Sequence, residues 1–433
     1  MNGTRVDAEP AASAAISQGG PVSSSGNGQL DVHAVRLDFP ALTRTVYGKP
    51  LVYLDNAATT HKPVAVLEAM DRFYRSSNAN VHRGVHRLSM DATALYDEAR
   101  RTLHRFFGTA IGCEIIFTRG ATESLNLVAQ SYGGSVLRAG DEVLVSWMEH
   151  HSNIVPWQMV CERTGAILRP VPIRDDGTLD MDAFQSMLSE RVKIVAITHV
   201  SNALGTVNPI AEITRLVHDA GAVVVVDGAQ AAPHLPVNLR ELGADFYVAA
   251  GHKMYGPTGI GILYGRADLL ERMPPWQGGG DMILSVSFEK TVYAQPPQKF
   301  EAGTPPIAEA VGLAAAAEYL MNLNMSRVHQ HEQHLLKALI ARLETIPGLR
   351  MLGKAPDRAG VVSFIMDCAH PHDIGQVLDG EGVAVRAGHH CAQPVMQRFG
   401  VPATTRVSLG LYNTEAEFDT LVAALHKVRR MFA

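Results

Sequence analysis

Between residues 114 and 265 the sequence alternates strand-like runs with helix-like segments, a pattern that few folds accommodate. The run at 222–227 is almost wholly β-branched, which is typical of a strand buried on both faces of a parallel sheet. Asn208 followed by Pro209 predicts an N-cap and the first position of a helix. Similar short apolar runs predict further strands at 114–118, 142–146, 193–200, 245–251 and 259–265. We therefore predict an α/β fold with a mainly parallel, doubly wound sheet.

The rest of the chain divides into segments of different composition. Residues 1–30 are rich in Ala, Ser and Gly without an apolar period and are predicted to form a disordered tail. Residues 31–60 are expected to pack with a smaller domain, and residues 61–300 to form the large domain. A long helix-like segment from about 306 to 345 leads into that smaller α+β domain, which is predicted to cover residues 301–433.

Composition argues against several classes of function. The 433 residues carry a net charge of -5 without a basic block, which argues against nucleic acid as a main partner. No apolar stretch approaches the length of about 18 residues that a membrane helix requires, and no signal peptide is recognisable. The four cysteines are too few for a disulfide scaffold, so we expect a reducing, cytoplasmic compartment.

Polar residues follow several predicted strands, where open α/β sheets bind ligands. The segment FTRGATE (117–123) runs from strand into helix, so its free N–H groups and the Thr122 hydroxyl could bind a phosphate, although this segment taken alone favours an ordinary capped helix. Asp227 ends the most apolar strand, either as a helix cap or as a carboxylate that keeps the pyridine nitrogen of pyridoxal phosphate (PLP) protonated. Gln230 could then reach the ring hydroxyl.

A lysine and a histidine pair lie after two further strands. Lys253, within GHKMYGPTG (251–259), could form a Schiff base if desolvation lowers its pKa, and His252 could contact the phosphate. A surface lysine in a turn is the alternative. His150 or His151 in SWMEHHSNIVPW (146–157) could stack on a planar cofactor or move protons, or could be structural.

Cys391 differs from the other three cysteines in its neighbours. It lies in VRAGHHCAQP (385–394), close to Arg386, His389 and His390, and positive neighbours favour the thiolate, which is the nucleophile. Zinc bound by His-His-Cys is an alternative, but it needs a further ligand at suitable spacing, and the sequence offers none. We therefore predict that Cys391 is a catalytic nucleophile and that the site holds no metal.

Together, VDGAQ (226–230), GHKMYGPTG (251–259), MEHHSNIVPW (148–157), THVSNALGTVNP (198–209) and RAGHHCA (386–392) resemble the motifs of SufS-type cysteine desulfurases. These enzymes belong to the class V branch of the fold-type I PLP enzymes. The resemblance covers residues from about 33 to 430. It implies a fold-type I PLP-dependent transferase with a seven-stranded sheet, a large PLP-binding domain, and a small C-terminal domain that carries the catalytic cysteine loop.

The resemblance also implies a role for each candidate residue. Lys253 would hold PLP covalently, Asp227 would pair with the pyridine nitrogen, and His150 would stack on the ring. Contacts with the ring oxygen or the substrate are implied for Gln230 and Asn202. The remaining implied contacts are with the cofactor phosphate, for Ala121, Thr122 and His252, and with the substrate carboxylate, for Arg386 and Arg406.

Two loops point to a partner subunit by the same resemblance. Thr304 in AGTP (302–305) would reach the partner subunit's phosphate, and VHRGVH (81–86) resembles an active-site loop. A homodimer with shared sites is therefore expected. Ala121 and Ala250 stand where close relatives often carry Thr and Ser. Because a neutral hydrogen bond is worth about 0.5–1.5 kcal/mol, PLP is expected to bind somewhat less tightly.

The implied reaction converts L-cysteine to L-alanine and leaves a persulfide on Cys391. An acceptor protein of SufE or SufU type would then take the sulfur for iron–sulfur cluster assembly. Selenocysteine lyase activity and a PLP aminotransferase that uses Lys253 without Cys391 are the alternatives within the fold. A non-catalytic protein that has kept the PLP fold is the alternative from another class.

Overall fold

The structure is a computed structural model that describes residues 30–109 and 112–433. The predicted disordered tail lies outside the described residues, apart from Leu30. In chain order, the strands are β1 Thr45–Val46, β2 Lys49–Pro50, β3 Val52–Tyr53, β4 Cys113–Thr118, β5 Glu142–Ser146, β6 Ile167–Val171, β7 Val192–Thr198, β8 Val223–Asp227, β9 Phe246–Ala250, β10 Gly261–Arg266, β11 Ile283–Val286, β12 Thr291–Tyr293, β13 Leu349–Leu352, β14 Val361–Met366, β15 Val383–Ala384, β16 Arg386–Gly388 and β17 Thr404–Ser408.

The helices alternate with these strands over the first two thirds of the chain. In order, they are α1 Val32–Leu37, α2 Val64–Ser76, α3 Arg87–Phe106, α4 Ala121–Leu127, α5 Gly134–Val136, α6 Val155–Thr164, α7 Met181–Met187, α8 Ile210–Asp219, α9 Leu239–Leu242, α10 Ala267–Arg272, α11 Ile307–Leu323, α12 Met325–Leu343, α13 Pro371–Asp379, α14 Gln393–Arg398 and α15 Ala416–Phe432. A π-helical turn, Val128–Gly133, joins α4 to α5. None of the described helices is long and apolar enough to cross a bilayer.

Seven strands form the central sheet in the order β4–β10–β9–β8–β7–β5–β6. All adjacent pairs are parallel except the two that β10 makes with β4 and β9. The mainly parallel α/β fold predicted from the sequence is therefore confirmed. Each predicted strand is present to within two residues. β6 was not predicted, because this edge strand has exposed positions and Pro170 in place of an apolar run.

Two helix predictions differ from the structure in detail. α8 begins at Ile210 with Pro209 as its N-cap, one residue later than predicted. Asn208 does not cap it, because its side-chain amide donates a hydrogen bond to the Thr198 carbonyl, at 2.8 Å. The long segment predicted at 306–345 is interrupted at Asn324, whose φ of 67° ends α11 and whose side chain caps α12. An asparagine tolerates this left-handed conformation better than most residues do.

The helices α11 and α12 pack in different parts of the molecule. The Ala-rich first half of α11 belongs to the core of the large sheet and packs against α2 and α3. Gly312 permits this close approach, because a Cβ at this position would lie 2.8 Å from the Met70 side chain. α12 packs instead with α13, α15 and the antiparallel sheet β13–β14–β17–β16.

The N-terminal segment joins this second core. β3 pairs in parallel with β15, and Val52 and Leu54 pack among the apolar residues of α12 and α15. The predicted domain limits at 60/61 and 300/301 remain predictions. What matters for the site is that β3, β16 and β17 bring C-terminal residues to the edge of the large sheet where its parallel strands end.

Candidate active site

A cavity of about 920 Å³ lies where β7, β8 and β9 end, and the segment after β16 closes its other side. This position follows from the topology, because the carboxyl ends of parallel strands meet at one edge of the sheet. The structure brings together every predicted site residue except Thr304. The predicted residues that line the cavity are Ala121, Thr122, His150, Asn202, Asp227, Gln230, His252, Lys253, Arg386, Cys391 and Arg406.

Lys253 ends the short 3-10 turn Gly251–Lys253 that follows β9. Among the described residues, its amine has no hydrogen bond or ion pair within the usual distances. Burial lowers the pKa of Lys253 to about 8, and the nearby Asp227 carboxylate partly opposes this effect. A fraction of the amine is therefore uncharged near neutral pH, which makes it a nucleophile and a base.

Asp227 and Gln230 supply polar atoms from the floor of the cavity. The Asp227 carboxylate is 5% exposed and accepts a hydrogen bond from the Ala229 N–H, at 3.0 Å. Burial raises its pKa, while the Ala229 N–H and the charge of Lys253 lower it. The Gln230 amide donates to the Ala57 carbonyl, at 2.7 Å, and its Oε1 is buried without a partner in the part of the chain that the structure describes. The floor therefore offers a carboxylate and an unsatisfied amide oxygen.

His150 follows β5 and is neutral. Its Nδ1 accepts a hydrogen bond from the Ser152 N–H, at 3.1 Å, and burial lowers its pKa to about 3. Because Nδ1 is the acceptor, the ring proton lies on Nε2. Glu149, which was not predicted, fixes this loop by accepting hydrogen bonds from the Thr198 N–H and the Asn153 amide, at 2.9 and 2.6 Å.

The start of α4 provides free backbone donors at the cavity. Gly120 precedes the helix, and its carbonyl accepts the Ser124 N–H, so the N–H groups of residues 121–123 have no partner inside the helix. Thr122 and His252 line the same cavity. Burial lowers the pKa of His252 to about 4, so its ring is neutral and can donate one hydrogen bond. These groups form a seat for an anion.

Two arginines share one carboxylate, that of Asp55. Arg406 is 2% exposed and donates hydrogen bonds to the Asn202 carbonyl, at 3.0 Å, and to Asp55, at 3.3 Å. Its Nε has no partner among the described residues. Arg386 donates to both oxygens of Asp55, at 3.1 and 2.8 Å. Asp55 was not predicted, although it ends an apolar run just as Asp227 does.

The loop that carries Cys391 has a strained backbone. His390 and Cys391 both have a left-handed conformation, with φ of 53° and 54°. For residues other than glycine this conformation costs roughly 1–2 kcal/mol each. The Asn202 amide donates to the His390 carbonyl, at 2.6 Å. Asn202 lines the cavity, and its amide also fastens the cysteine loop. Cys391 itself is exposed.

Within the single chain, neither Thr304 nor the segment 81–86 lines this cavity. Thr304 lines a second cavity of about 310 Å³, which adjoins the first at Arg119, Glu123 and Trp276. The segment 81–86 is tied down by an ion pair between Arg83 and Asp281, at 2.8 Å. Their predicted contacts with a partner subunit therefore remain predictions. In the ranges 30–109 and 112–433, no cluster of three or more His, Cys, Asp or Glu could hold a metal.

Residues 52–421 match the family described as Aminotransferase class-V. A cysteine desulfurase of Cronobacter sakazakii is 50% identical over 403 residues, which cover 93% of this chain and 99% of that protein. The chain belongs to the cysteine desulfurases of this family. A probable cysteine desulfurase of Mycobacterium leprae is 52% identical, with 92% of this chain covered. The chain spans only 65% of that relative, and likewise 65% of a Synechococcus elongatus cysteine desulfurase.

Solved structures agree with this assignment. The structure of the cysteine desulfurase CsdA (S-sulfonic acid) from Escherichia coli has a TM-score of 0.86 at 39% identity and covers 93% of this chain and 99% of that one. The apo structure of a cysteine desulfurase from Thermococcus onnurineus NA1 has a TM-score of 0.86 at 38% identity, with 91% and 99% covered. The family membership makes PLP the cofactor of this chain.

The residues of the cavity fit PLP. The free N–H groups at the start of α4 suit its phosphate, and the buried carboxylate of Asp227 suits a protonated pyridine nitrogen. The Lys253 amine suits its aldehyde. The Oε1 of Gln230 is buried and accepts no hydrogen bond from the described residues. A polar group of the cofactor can supply the missing donor.

Proposed function

We propose that the chain is a cysteine desulfurase that converts L-cysteine to L-alanine and leaves the sulfur as a persulfide on Cys391. One observation carries the proposal: a single cavity is lined by the amine of Lys253, the buried carboxylate of Asp227 and the exposed thiol of Cys391. An aminotransferase has a use for the first two residues and none for a cysteine on a strained loop.

In this proposal Lys253, Asp227, Gln230 and the start of α4 would hold PLP, with His150 beside it. When bound, PLP supplies an electron sink for the negative charge that develops at the substrate α-carbon. The Lys253 amine removes the α-proton, for which its lowered pKa of about 8 suits it. His150, neutral with its proton on Nε2, can hold or donate a proton beside the reacting atoms.

The sulfur step uses Cys391. Its Sγ, as the thiolate, attacks the substrate sulfur, so that an S–S bond forms while the bond between that sulfur and the substrate Cβ breaks. Protonation of the substrate carbon then gives L-alanine, and the enzyme holds the persulfide. The thiol of Cys391 and one molecule of cysteine therefore account for all atoms of the products, without an external oxidant.

Arg406 is proposed to bind the substrate carboxylate, with Arg386 beside it. Burial lowers the pKa of Arg406 to about 10, so the guanidinium is still charged at neutral pH. Its unpaired Nε gives it a free donor, and a planar guanidinium binds a carboxylate through two hydrogen bonds. Asp55 holds both arginines in place, which lowers the conformational entropy that binding must remove.

The test compares the wild type with Cys391→Ala and with Cys368→Ala, a matched control at a partly exposed cysteine. L-Cysteine is supplied to PLP-loaded protein, and alanine and protein-bound persulfide are quantified. Wild type and Cys368→Ala should yield both products and Cys391→Ala neither. With selenocysteine as the substrate, Cys391→Ala should remain active, because selenium can leave without the help of the thiol. Alanine from cysteine at the wild-type rate in Cys391→Ala would contradict the proposal.

We further propose that the active form is a homodimer. Val85, Leu284 and Phe288 are at least 70% exposed, and the Arg83–Asp281 ion pair ties the segment of Val85 to the β11–β12 hairpin that carries the other two. A second copy of this chain that binds these two joined segments would cover all three apolar side chains. Thr304, in the adjoining second cavity, is then proposed to reach the partner subunit's PLP phosphate, and the segment 81–86 to border the shared site.

The dimer can be tested by light scattering coupled to gel filtration. Phe288→Asp and Val85→Asp should shift the mass to that of one chain and weaken PLP binding. Leu37→Asp, at another highly exposed apolar residue, is the control and should remain dimeric. A wild type that runs as one chain with full activity would contradict the homodimer.

The destination of the sulfur is proposed from the family resemblance and from the exposure of Cys391. We propose an acceptor protein of SufE or SufU type, iron–sulfur cluster assembly by the SUF system, and a cytoplasmic location. The location is supported by the four cysteines, which are all free, because a reducing compartment keeps thiols from forming disulfides. Alanine production should accelerate on addition of one of these acceptors. No acceleration with either would exclude both as partners.

A further inference from the structure

Asn202 and Thr404 bond His390 of the strained pair, while the Cys391 carbonyl is bonded by another segment, the short 3-10 turn His151–Asn153. His151 is the first residue of this turn, so its N–H has no partner inside the turn. This N–H donates to the Cys391 carbonyl, at 2.7 Å. The backbone of the candidate nucleophile is therefore bonded to the loop that follows β5, about 240 residues earlier in the sequence.

The His151 side chain makes a second bond to the same loop. Its Nε2 accepts a hydrogen bond from the Gln393 N–H, at 3.2 Å. Gln393 is the first residue of α14, and Ala392 supplies no side-chain cap. Pro394 has no N–H, and the Val395 N–H bonds to the Ala392 carbonyl. The Gln393 N–H is thus the donor that the helix start leaves free, and the imidazole of His151 satisfies it.

The two bonds are reciprocal. Each segment begins a short helix, and each gives its first free N–H to an acceptor on the other. The attachment points are the Cys391 carbonyl and the Gln393 N–H, on either side of Ala392, so a change of the Cys391 backbone away from the left-handed region strains these bonds. Loss of the imidazole acceptor would leave the Gln393 N–H without its partner and remove one of the two bonds that fix the Cys391 side of the loop, while His390 stays bonded to Asn202.

We propose that His151 is a positioning residue for Cys391, whose imidazole holds the cysteine loop so that Sγ faces the cavity. The proposal rests on the proposed function only for the role of Cys391 as the sulfur acceptor. It assigns His151 no contact with substrate or cofactor, since His150 and not His151 lines the cavity. Removal of the imidazole should therefore impair the sulfur step and spare the removal of the α-proton.

The test uses His151→Ala together with His151→Gln, because the Oε1 of glutamine can take the place of Nε2 as the acceptor. His334→Ala, at an exposed histidine paired with Glu415, is the control. Three quantities are measured on the PLP-loaded full chain: alanine formed from L-cysteine, exchange of the α-proton of L-alanine in D2O, and alkylation of Cys391 by iodoacetamide, followed on its peptide by mass spectrometry.

In His151→Ala, alanine formation should fall by about 10- to 100-fold, the range that a displacement of about 1 Å produces. Proton exchange should stay within about twofold of the wild type, alkylation of Cys391 should change severalfold, and His151→Gln should recover most of the lost rate. Equal losses in His151→Ala and His151→Gln, a parallel loss of proton exchange, or full desulfuration by His151→Ala would each overturn the proposal.

A failure of the proposed function is separable from these outcomes. It would appear in the wild type, as proton exchange without alanine from cysteine. Alkylation of Cys391 still tests the role of His151 in that case, because this reaction needs neither substrate nor turnover. If His151→Ala does not fold, His151→Gln decides: wild-type alkylation and rate in this variant support the acceptor role, and loss of both in folded protein contradicts it.

Discussion

Asp55 accepts a hydrogen bond from Arg406 at 3.3 Å, and Arg406 is the more deeply buried of the two. Burial of a guanidinium without a counter-charge destabilises the folded state, so the Asp55 carboxylate stabilises Arg406 in its buried position. The Nε of Arg406 still has no hydrogen-bond partner among the described residues. A second carboxylate, that of the substrate, can then approach a guanidinium that is already oriented.

Replacing Arg406 with lysine should raise KM for L-cysteine by about 10- to 100-fold, since an ammonium loses the bidentate geometry, which is worth about 1.5–3 kcal/mol. The change in kcat should be smaller. Steady-state kinetics of alanine formation measure both constants. Arg398→Lys, at an arginine paired with the exposed Asp175, should leave both unchanged. An unaltered KM in Arg406→Lys would assign the substrate carboxylate to another residue.

Reduction with borohydride should attach PLP to Lys253 alone. Lys62 is the informative comparison, because burial lowers the pKa of its amine to about 8 as well. Its Nζ, however, donates to the carbonyls of Thr60 and His252, at 2.6 and 2.9 Å, and it does not line the cavity. Peptide mass spectrometry locates the label. Label on Lys62 would show that a low pKa and not the cavity selects the lysine.

The stability of the apoprotein should depend on pH through Lys253. Its pKa is about 8 in the folded chain against an ordinary 10.5, so the unfolded chain binds more protons between these values and stability rises with pH there. Below pH 8 the buried charge costs the folded state about 3 kcal/mol at most. Lys253→Met should therefore have the higher melting temperature at pH 7, and the gap should close as pH rises towards 10.5.

Melting curves of the apo wild type, Lys253→Met and Lys337→Met between pH 7 and 10.5 test whether stability rises with pH as expected. Lys337 is exposed on α12, so its replacement should leave the melting temperature close to that of the wild type at every pH. A gap between wild type and Lys253→Met that persists above pH 10.5 would mean that packing by the methionine, and not the charge, is responsible.

A hydroxyl restored at the end of β9 should tighten the binding of PLP. Ala250 lines the cavity and is 3% exposed, so Ala250→Ser can add a hydrogen bond worth about 1 kcal/mol, or roughly a fivefold lower Kd. Titration of apoprotein with PLP measures the change. Ala387 lines the same cavity from the side of β16, and Ala387→Ser is the control, which should leave the Kd for PLP unchanged. Weaker binding in Ala250→Ser would mean that the hydroxyl has no acceptor at this position.

The strands of the central sheet could be predicted because burial on both faces leaves apolar runs, as at Val223–Asp227. β6 could not, because an edge strand needs no such run. The end of α11 depends on the backbone angles of Asn324 rather than on an apolar pattern, so the sequence suggested one long helix. Asn208 looked like a cap because its competing acceptor, the Thr198 carbonyl, is close only in the folded chain.

In the site, the residues that line the cavity could be predicted because they follow strands or stand among unusual neighbours. Glu149 and His151 act through partners far away in the sequence, so the bonds that define their roles could not be predicted, although His151 was considered beside His150 as a cofactor contact. Asp55 shows what was available: it ends an apolar run, as Asp227 does, and the argument applied to Asp227 would have singled it out.

The direction of β10 has a consequence for how the enzyme can vary. Because β10 runs against β9, the chain leaves and re-enters the sheet at the same edge, and Ala250 and Gly261 are directly paired. Lys253 is thus in the loop that connects two paired strands, and the pairing fixes the distance between the two ends of this loop. Cys391 is on a segment whose ends belong to different elements, β16 and α14. Insertions and deletions should therefore be tolerated poorly in the lysine loop, since a change of its length would disturb the pairing of β9 with β10.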